Sequence, residues 1–166
     1  MIARGSESAG VATSNSNQFS SRVLESVHLS YWHDAATDMG VQQLQSELER
    51  LTEQQPRISV VLVVPSGTPL SGNAARQSAV EMLGRLGASI QRVGIAIEGG
   101  GFSLAAIRMM FSGIALLARP RFEWRIFRSR EELGPWLVDA DAGATLQQVS
   151  RALVELSESD GVSHEG

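Results

Sequence analysis

Cysteine is absent from this chain. Disulfides, thiol catalysis and thiolate metal sites are therefore excluded. Lysine is absent too, and all 14 basic residues are arginine. That excludes Schiff-base chemistry and the phosphate-binding lysine of a P-loop. By association, an arginine-only basic set fits a bacterial coding bias. A surplus of positive charge is also missing, since the net charge is −4. Nucleic-acid binding through a basic surface is not expected from that balance. No apolar run reaches the length of a membrane span. The N-terminus has no apolar leader segment, so a cytoplasmic location is the default expectation. What is present is 166 residues with a hydrophobic fraction of 43%, which fits one domain with a real core.

Residues 93–119 (VGIAIEGGGFSLAAIRMMFSGIALLAR) organise the rest. Val93, Ile95 and Ile97 alternate with Gly94, Ala96 and Glu98. Both sets are small or apolar until Glu98, which predicts a central, parallel-type strand covered on both faces. Gly99, Gly100 and Gly101 then open backbone angles closed to other residues, and Ser103 is placed to cap a helix. Leu104, Ile107, Phe111, Ile114 and Ala118 form one stripe facing the sheet. The opposite side carries Ala105, Arg108, Met109, Ser112 and Leu116, with a single charge. Such a side is covered either by a later helix of this chain or by another chain.

The rest of the chain supplies the other elements. Residues 1 to about 20 are polar and small, and are expected to be a disordered tail dispensable for folding. Val23, Val27, Leu29 and Tyr31 alternate with Arg22, Ser26, His28 and Ser30, which predicts one half-buried strand near a sheet edge. Thr37 or Asp38 caps an amphipathic helix with Val41, Leu44, Leu48 and Leu51 inward. Ile58 to Val64 is a continuous β-branched run and a central strand. Ser71 is placed to cap a helix with Ala75, Ala79, Met82, Leu83 and Leu86 inward. Glu123 to Phe127 alternates as an outer strand. Ser129–Glu132 and Thr145–Gln148 are capping-box patterns. Pro135 breaks or restarts the first of the two helices that follow. The second carries Leu146, Val149, Leu153 and Leu156 on one side. Residues 158–166 form a polar tail. The resulting fold class is α/β: a single domain over residues 21–157, with a mostly parallel or mixed four-stranded sheet covered by helices.

Three stretches in this order resemble the STAS domains, which include bacterial anti-sigma-factor antagonists, and especially their SpoIIAA-like relatives. They are VVLVVPSGTPLSGNAAR, VGIAIEGGGF with its apolar helix, and RPRFEWRIFRSREELGPWL. They cover roughly Arg22 to Leu137. The SpoIIAA-like relatives also resemble the lipid-binding CRAL-TRIO fold. The resemblance implies a phosphorylatable serine at the start of the helix after the second buried strand. Ser71 and, in the same loop, Ser66 are the candidates, but the family's Asp-Ser-Ser pattern is absent here.

Other groupings have a weaker chemical reading. Gly99, Gly100 and Gly101 before a helix suit an anion or ligand loop, although the G-x-G-x-x-G pattern is missing and Glu98 would repel a phosphate. His28, His33 and Asp34 are the one local metal-like grouping, with the two histidines on opposite strand parities. No metal or cofactor is expected. Arg119, Arg121, Arg125, Arg128 and Arg130 read either as a solvated face paired with Glu123, Glu131 and Glu132 or as a dock for an acidic partner. The leading expectation is a non-enzymatic regulatory or protein-interaction module. It would self-associate through the outer side of the 104–118 helix: Ala105, Arg108, Met109, Ser112 and Leu116. The alternative is a carrier of a small apolar or lipid ligand. An enzyme with scattered residues is the third reading.

Overall fold

The link Glu25-Ser26 turns what reads as one strand into a hairpin. In the computed structural model, which describes residues 13–15, 18–99, 102–139 and 144–158, six strands form one sheet in chain order. They are β1 (Thr13–Asn15), β2 (Phe19–Leu24), β3 (Val27–Trp32), β4 (Ile58–Val64), β5 (Ile90–Ile97) and β6 (Glu123–Phe127). β1, β2 and β3 run antiparallel, and β3 to β6 run parallel. Leu24 pairs with Val27 across the hairpin, and Glu25 takes the turn at φ 52°. A non-glycine residue there is uncommon, and Glu-Ser is not a usual two-residue hairpin signal.

The expected sheet of four strands is thus corrected to six. The hairpin adds one, and β1 adds another inside the expected tail. Val23 moves to the face opposite Val27, Leu29 and Tyr31, because the turn resets strand parity. β3 is buried along its whole length rather than half-buried. The domain also starts before residue 21. Phe19 is 0% exposed and stacks on Trp32 with ring centroids 4.4 Å apart. The remaining residues of the expected N-terminal tail, 1–12 and 16–17, lie outside the described residues, as do 159–166 of the C-terminal one.

Three helices connect the parallel strands: α1 (Asp38–Gln54), α2 (Asn73–Leu86) and α3 (Phe102–Ala118). With strands in sequential order, crossovers of one hand put all three on one face, and they share one core. Their inward residues are those the periodicity predicts: Val41, Leu44, Leu48 and Leu51 on α1, Met82, Leu83 and Leu86 on α2, and Ile107 and Ile114 on α3. Thr37 caps α1 by accepting from the Gly40 N–H at 3.3 Å. A 3₁₀ turn (Arg130–Glu132), α4 (Leu133–Asp139) and α5 (Leu146–Glu158) cover the other face. Pro135 falls in the first turn of α4, where its missing N–H has no helical partner to lose. The Thr145 box is reciprocal. Thr145 N donates to Gln148 Oε1 at 2.8 Å, and Gln148 N donates to Thr145 Oγ1 at 3.2 Å. The Ser129 box is not made: Ser129 gives no side-chain cap, and Glu132 Oε2 accepts from Arg128 N, one residue before the cap, at 3.3 Å.

Candidate functional site

Between the sheet and α1–α3 lies a cavity of about 90 Å³. Its wall is built from the inward sides of elements that are each apolar for packing reasons. β3 gives Trp32, β4 gives Leu62, β5 gives Ile95 and β6 gives Trp124. α3 contributes Met110 and Phe111. Asp34 and Pro69 are the exposed wall residues and mark the mouth, beside the C-terminal ends of β3 and β4. That is where ligands of open α/β sheets bind.

The polar atoms of the wall are few. Thr68 Oγ1 donates to the carbonyls of Trp32 (3.3 Å) and Pro65 (2.9 Å). Ser71 Oγ accepts from Ala36 N at 3.2 Å. Arg76 Nη2 donates to Asn73 Oδ1. Arg76 Nε and Trp124 Nε1 are buried without a hydrogen-bond partner among the described residues.

Ser71 is therefore not the helix cap that its position suggests. α2 starts at Asn73 with Gly72 as its N-cap and no side-chain cap. Ser71 instead ties the loop after β4 to the turn before α1. Ser66 is exposed and lies against Gly99. A Cβ on Gly99 would sit 2.6 Å from Ser66 Oγ, and Gly99 has φ +100°, so only glycine fits. Gly100 and Gly101 lie outside the described residues. Ser103 lies inside α3, which begins at Phe102, and a cap for that helix lies outside the described residues.

Glu98, at the head of this loop, is occupied. Arg130 Nε and Nη2 donate to its two oxygens at 2.9 and 2.6 Å. The Glu98 carboxylate raises the Arg130 pKa above the ordinary arginine value, while partial burial works against it. Arg130 also lies 5.5 Å over the Tyr31 ring. The basic cluster is thus not one uniform face. Arg130 pairs with Glu98, and Glu123 pairs with Arg92 at 3.5 Å. Glu123 also accepts from Trp136 Nε1 at 2.9 Å.

The outer side of α3 is uncovered by any described element, because α4 and α5 pack on the opposite face of the sheet. Met109, Leu116 and Leu117 are 75%, 77% and 72% exposed. Ala105 and Ser112 are exposed beside them, and Arg108 is half-buried, its Nε without a partner among the described residues.

The histidines form no metal grouping among the described residues. His28 is fully buried, and its Nε2 lies 3.0 Å from Glu47 Oε1. Ser21 donates to the same oxygen. Burial pushes the Glu47 carboxyl up, but hydrogen bonds from His28 and Ser21 and the His28 charge outweigh it, and the net shift is downward. Spacing did not reveal this contact, because Glu47 occupies a helix position that reads as solvent-facing. No helix among the described residues is long and apolar enough to cross a membrane.

No family model matches the chain, and no curated protein matches it. Among solved structures, it is similar to a DUF3478-family protein with a SpoIIAA-like fold from Shewanella loihica PV-4. The TM-score is 0.50 at 13% identity, over 76% of this chain and 91% of that one. An enoyl-CoA hydratase from Geobacillus kaustophilus HTA426 aligns with a TM-score of 0.41 at 10% identity, over 93% of this chain and 92% of that one. A likeness at that score carries no argument. At 13% identity the first likeness speaks of architecture alone, and together with the sheet and its helical layers it shows that this chain has a SpoIIAA-like fold.

Proposed function

We propose that the protein is a non-enzymatic binding module that holds a small apolar molecule between its sheet and α1–α3. The cavity of about 90 Å³ carries this reading. Protein interiors pack as densely as organic crystals. Leaving that volume empty costs about 2 kcal/mol at roughly 24 cal/mol per Å³, and a ligand that fills it recovers this. Both wall hydroxyls, Thr68 and Ser71, are engaged with backbone groups. Neither touches a base, which favours binding over catalysis.

Native mass spectrometry on freshly purified protein should show a retained small mass. A neutral apolar probe small enough for the cavity, such as xenon, should change the fluorescence of Trp32 and Trp124, both in the wall. Ala79→Leu, which narrows the cavity from α2, should abolish that response in a folded protein. A wild type that binds no apolar probe overturns the reading.

A second reading is favoured by the outer side of α3. Three large apolar side chains there are more than two-thirds exposed, which supports self-association of this helix with its copy across a two-fold axis. The two readings are compatible, since the inner side of α3 lines the cavity and the outer side faces away.

A further inference from the structure

We infer that the outer edge of β6 is a docking site for an extended acidic peptide segment, which adds to the sheet as one more strand. The site is separate from the cavity, whose mouth lies beside the ends of β3 and β4.

The edge itself is open. β6 stands last in the sheet and pairs only with β5 among the described residues. No backbone hydrogen bond from a described loop or turn reaches residues 123–127. A strand so placed presents a row of unpaired N–H and C=O groups, a template for another chain.

Charge selects the chain that can use it. Arg119 and Arg121 precede β6, Arg125 lies within it and Arg128 follows it, and all are exposed. None has a carboxylate partner among the described residues, whereas Arg22, Arg92 and Arg130 each pair with a glutamate. The acidic residue of this stretch, Glu123, is engaged by Arg92 and Trp136. Glu132 accepts from the Arg128 backbone N–H and not from its guanidinium. A stretch of uncommitted cations thus flanks an open edge on a chain whose net charge is −4.

Charges on an edge strand also serve to keep other strands away. Charges of one sign do so selectively. A second copy of β6 would set arginine against arginine, and like charges directly opposite destabilise a strand pair. A strand bearing carboxylates gains ladder hydrogen bonds and guanidinium–carboxylate pairs together. Arg125 already lies over the Phe127 ring at 5.2 Å, so part of its side-chain freedom is lost before a partner arrives. Single-stranded nucleic acid, the other flexible polyanion, would need aromatic faces on which to stack. The aromatic residues of β6 are turned inward: Phe127 is buried, and Trp124 lines the cavity. β6 has five residues, which sets the docked segment at roughly 17 Å of extended chain.

The test titrates the full chain at low salt against labelled heptapeptides, followed by fluorescence anisotropy. One alternates threonine and glutamate, one alternates threonine and lysine, and one is the acidic peptide with its backbone amides methylated. The acidic peptide should bind tighter than the lysine peptide by about tenfold or more, the worth of a hydrogen bond to a charged group. Methylation should abolish that binding, because it removes the N–H groups of the ladder and leaves the charge. Arg121→Glu combined with Arg125→Glu should reverse the order, so that the lysine peptide binds tighter, a result that a damaged fold would not produce. Equal affinity for the acidic and lysine peptides overturns the inference. So does a methylated peptide that binds as well as its parent, or an RNA oligonucleotide of equal charge that binds more tightly than the acidic peptide. These three comparisons use the wild type alone and stand if the variant fails to fold.

Discussion

His28 Nε2 lies 3.0 Å from Glu47 Oε1, joining β3 to α1 through an imidazole with no exposed surface. Glu47→Gln keeps the shape and removes the charge. The glutamine oxygen can still accept from His28 and Ser21, so the loss is the charge-assisted part of those bonds, about 1 kcal/mol, and the denaturation midpoint at pH 7 should fall. The Glu47 carboxyl is held below its ordinary value in the fold. Its contribution is therefore full above the unfolded-state pKa, about 4.3, and is lost as pH falls through the lower folded value. The wild type and Glu47→Gln should converge in stability on acidification. Parallel stability curves from pH 7 into that acid range would show that the carboxylate's charge is not what holds α1 here.

Phe19 is a core residue in the stretch whose composition reads as a dispensable tail. Deleting residues 1–20 removes it, together with its stacking partner contact to Trp32. Truncating a buried phenylalanine typically costs about 3–5 kcal/mol, which for a domain of this size is roughly 6 °C or more in Tm. Phe19→Ala alone should produce most of the same drop. A truncated protein that melts with the wild type would refute the packing of β2 described above.

Gly94 faces Trp136 across the second core. A Cβ at Gly94 would lie 2.5 Å from a carbon of the Trp136 ring. The ring is fixed from several sides: Arg92 stacks 4.7 Å from its centroid, and Phe127 meets it edge-on at 5.2 Å. Gly94→Val should cost about 1–3 kcal/mol through overpacking and should alter the near-ultraviolet circular dichroism of Trp136. An unchanged spectrum and midpoint would mean that α4 yields freely.

Met109 and Leu116 lie seven residues apart on the uncovered side of α3, so they share one line. If that side joins two copies, Met109→Glu should shift sedimentation toward monomer, because a carboxylate would be desolvated without a partner. The variant should keep its melting temperature, since Met109 is 75% exposed. A wild type that stays monomeric at tens of micromolar sinks the self-association reading.

Most elements were legible because each answers to one local rule. The β-branched run of β4, the stripe on α1 and the Thr145 box need only propensity, periodicity and capping chemistry, and the structure has each of them. The hairpin was not legible, because Glu25 adopts a left-handed angle that its residue type does not advertise. The start of α2 was displaced from Ser71 because a backbone N–H in another loop claims that hydroxyl. The cavity was legible least of all. It exists where Trp32, Leu62, Arg76 and Trp124 meet, and nothing in the spacing of residues so far apart says that they do.

The strands lie in the sheet in the order in which they occur in the chain. During synthesis each new strand therefore finds its neighbour already made, and none has to be threaded between two others. The first helical layer emerges between the strands that it crosses. The second comes last, since α4 and α5 begin at Leu133 and Leu146. Until they leave the ribosome, Leu29, Tyr31, Val61 and Val63 line a bare apolar face on a finished sheet. Exposed surface of that kind draws chaperones and aggregation. α4 and α5 therefore close the domain by covering that face, the last step that the order of the chain allows.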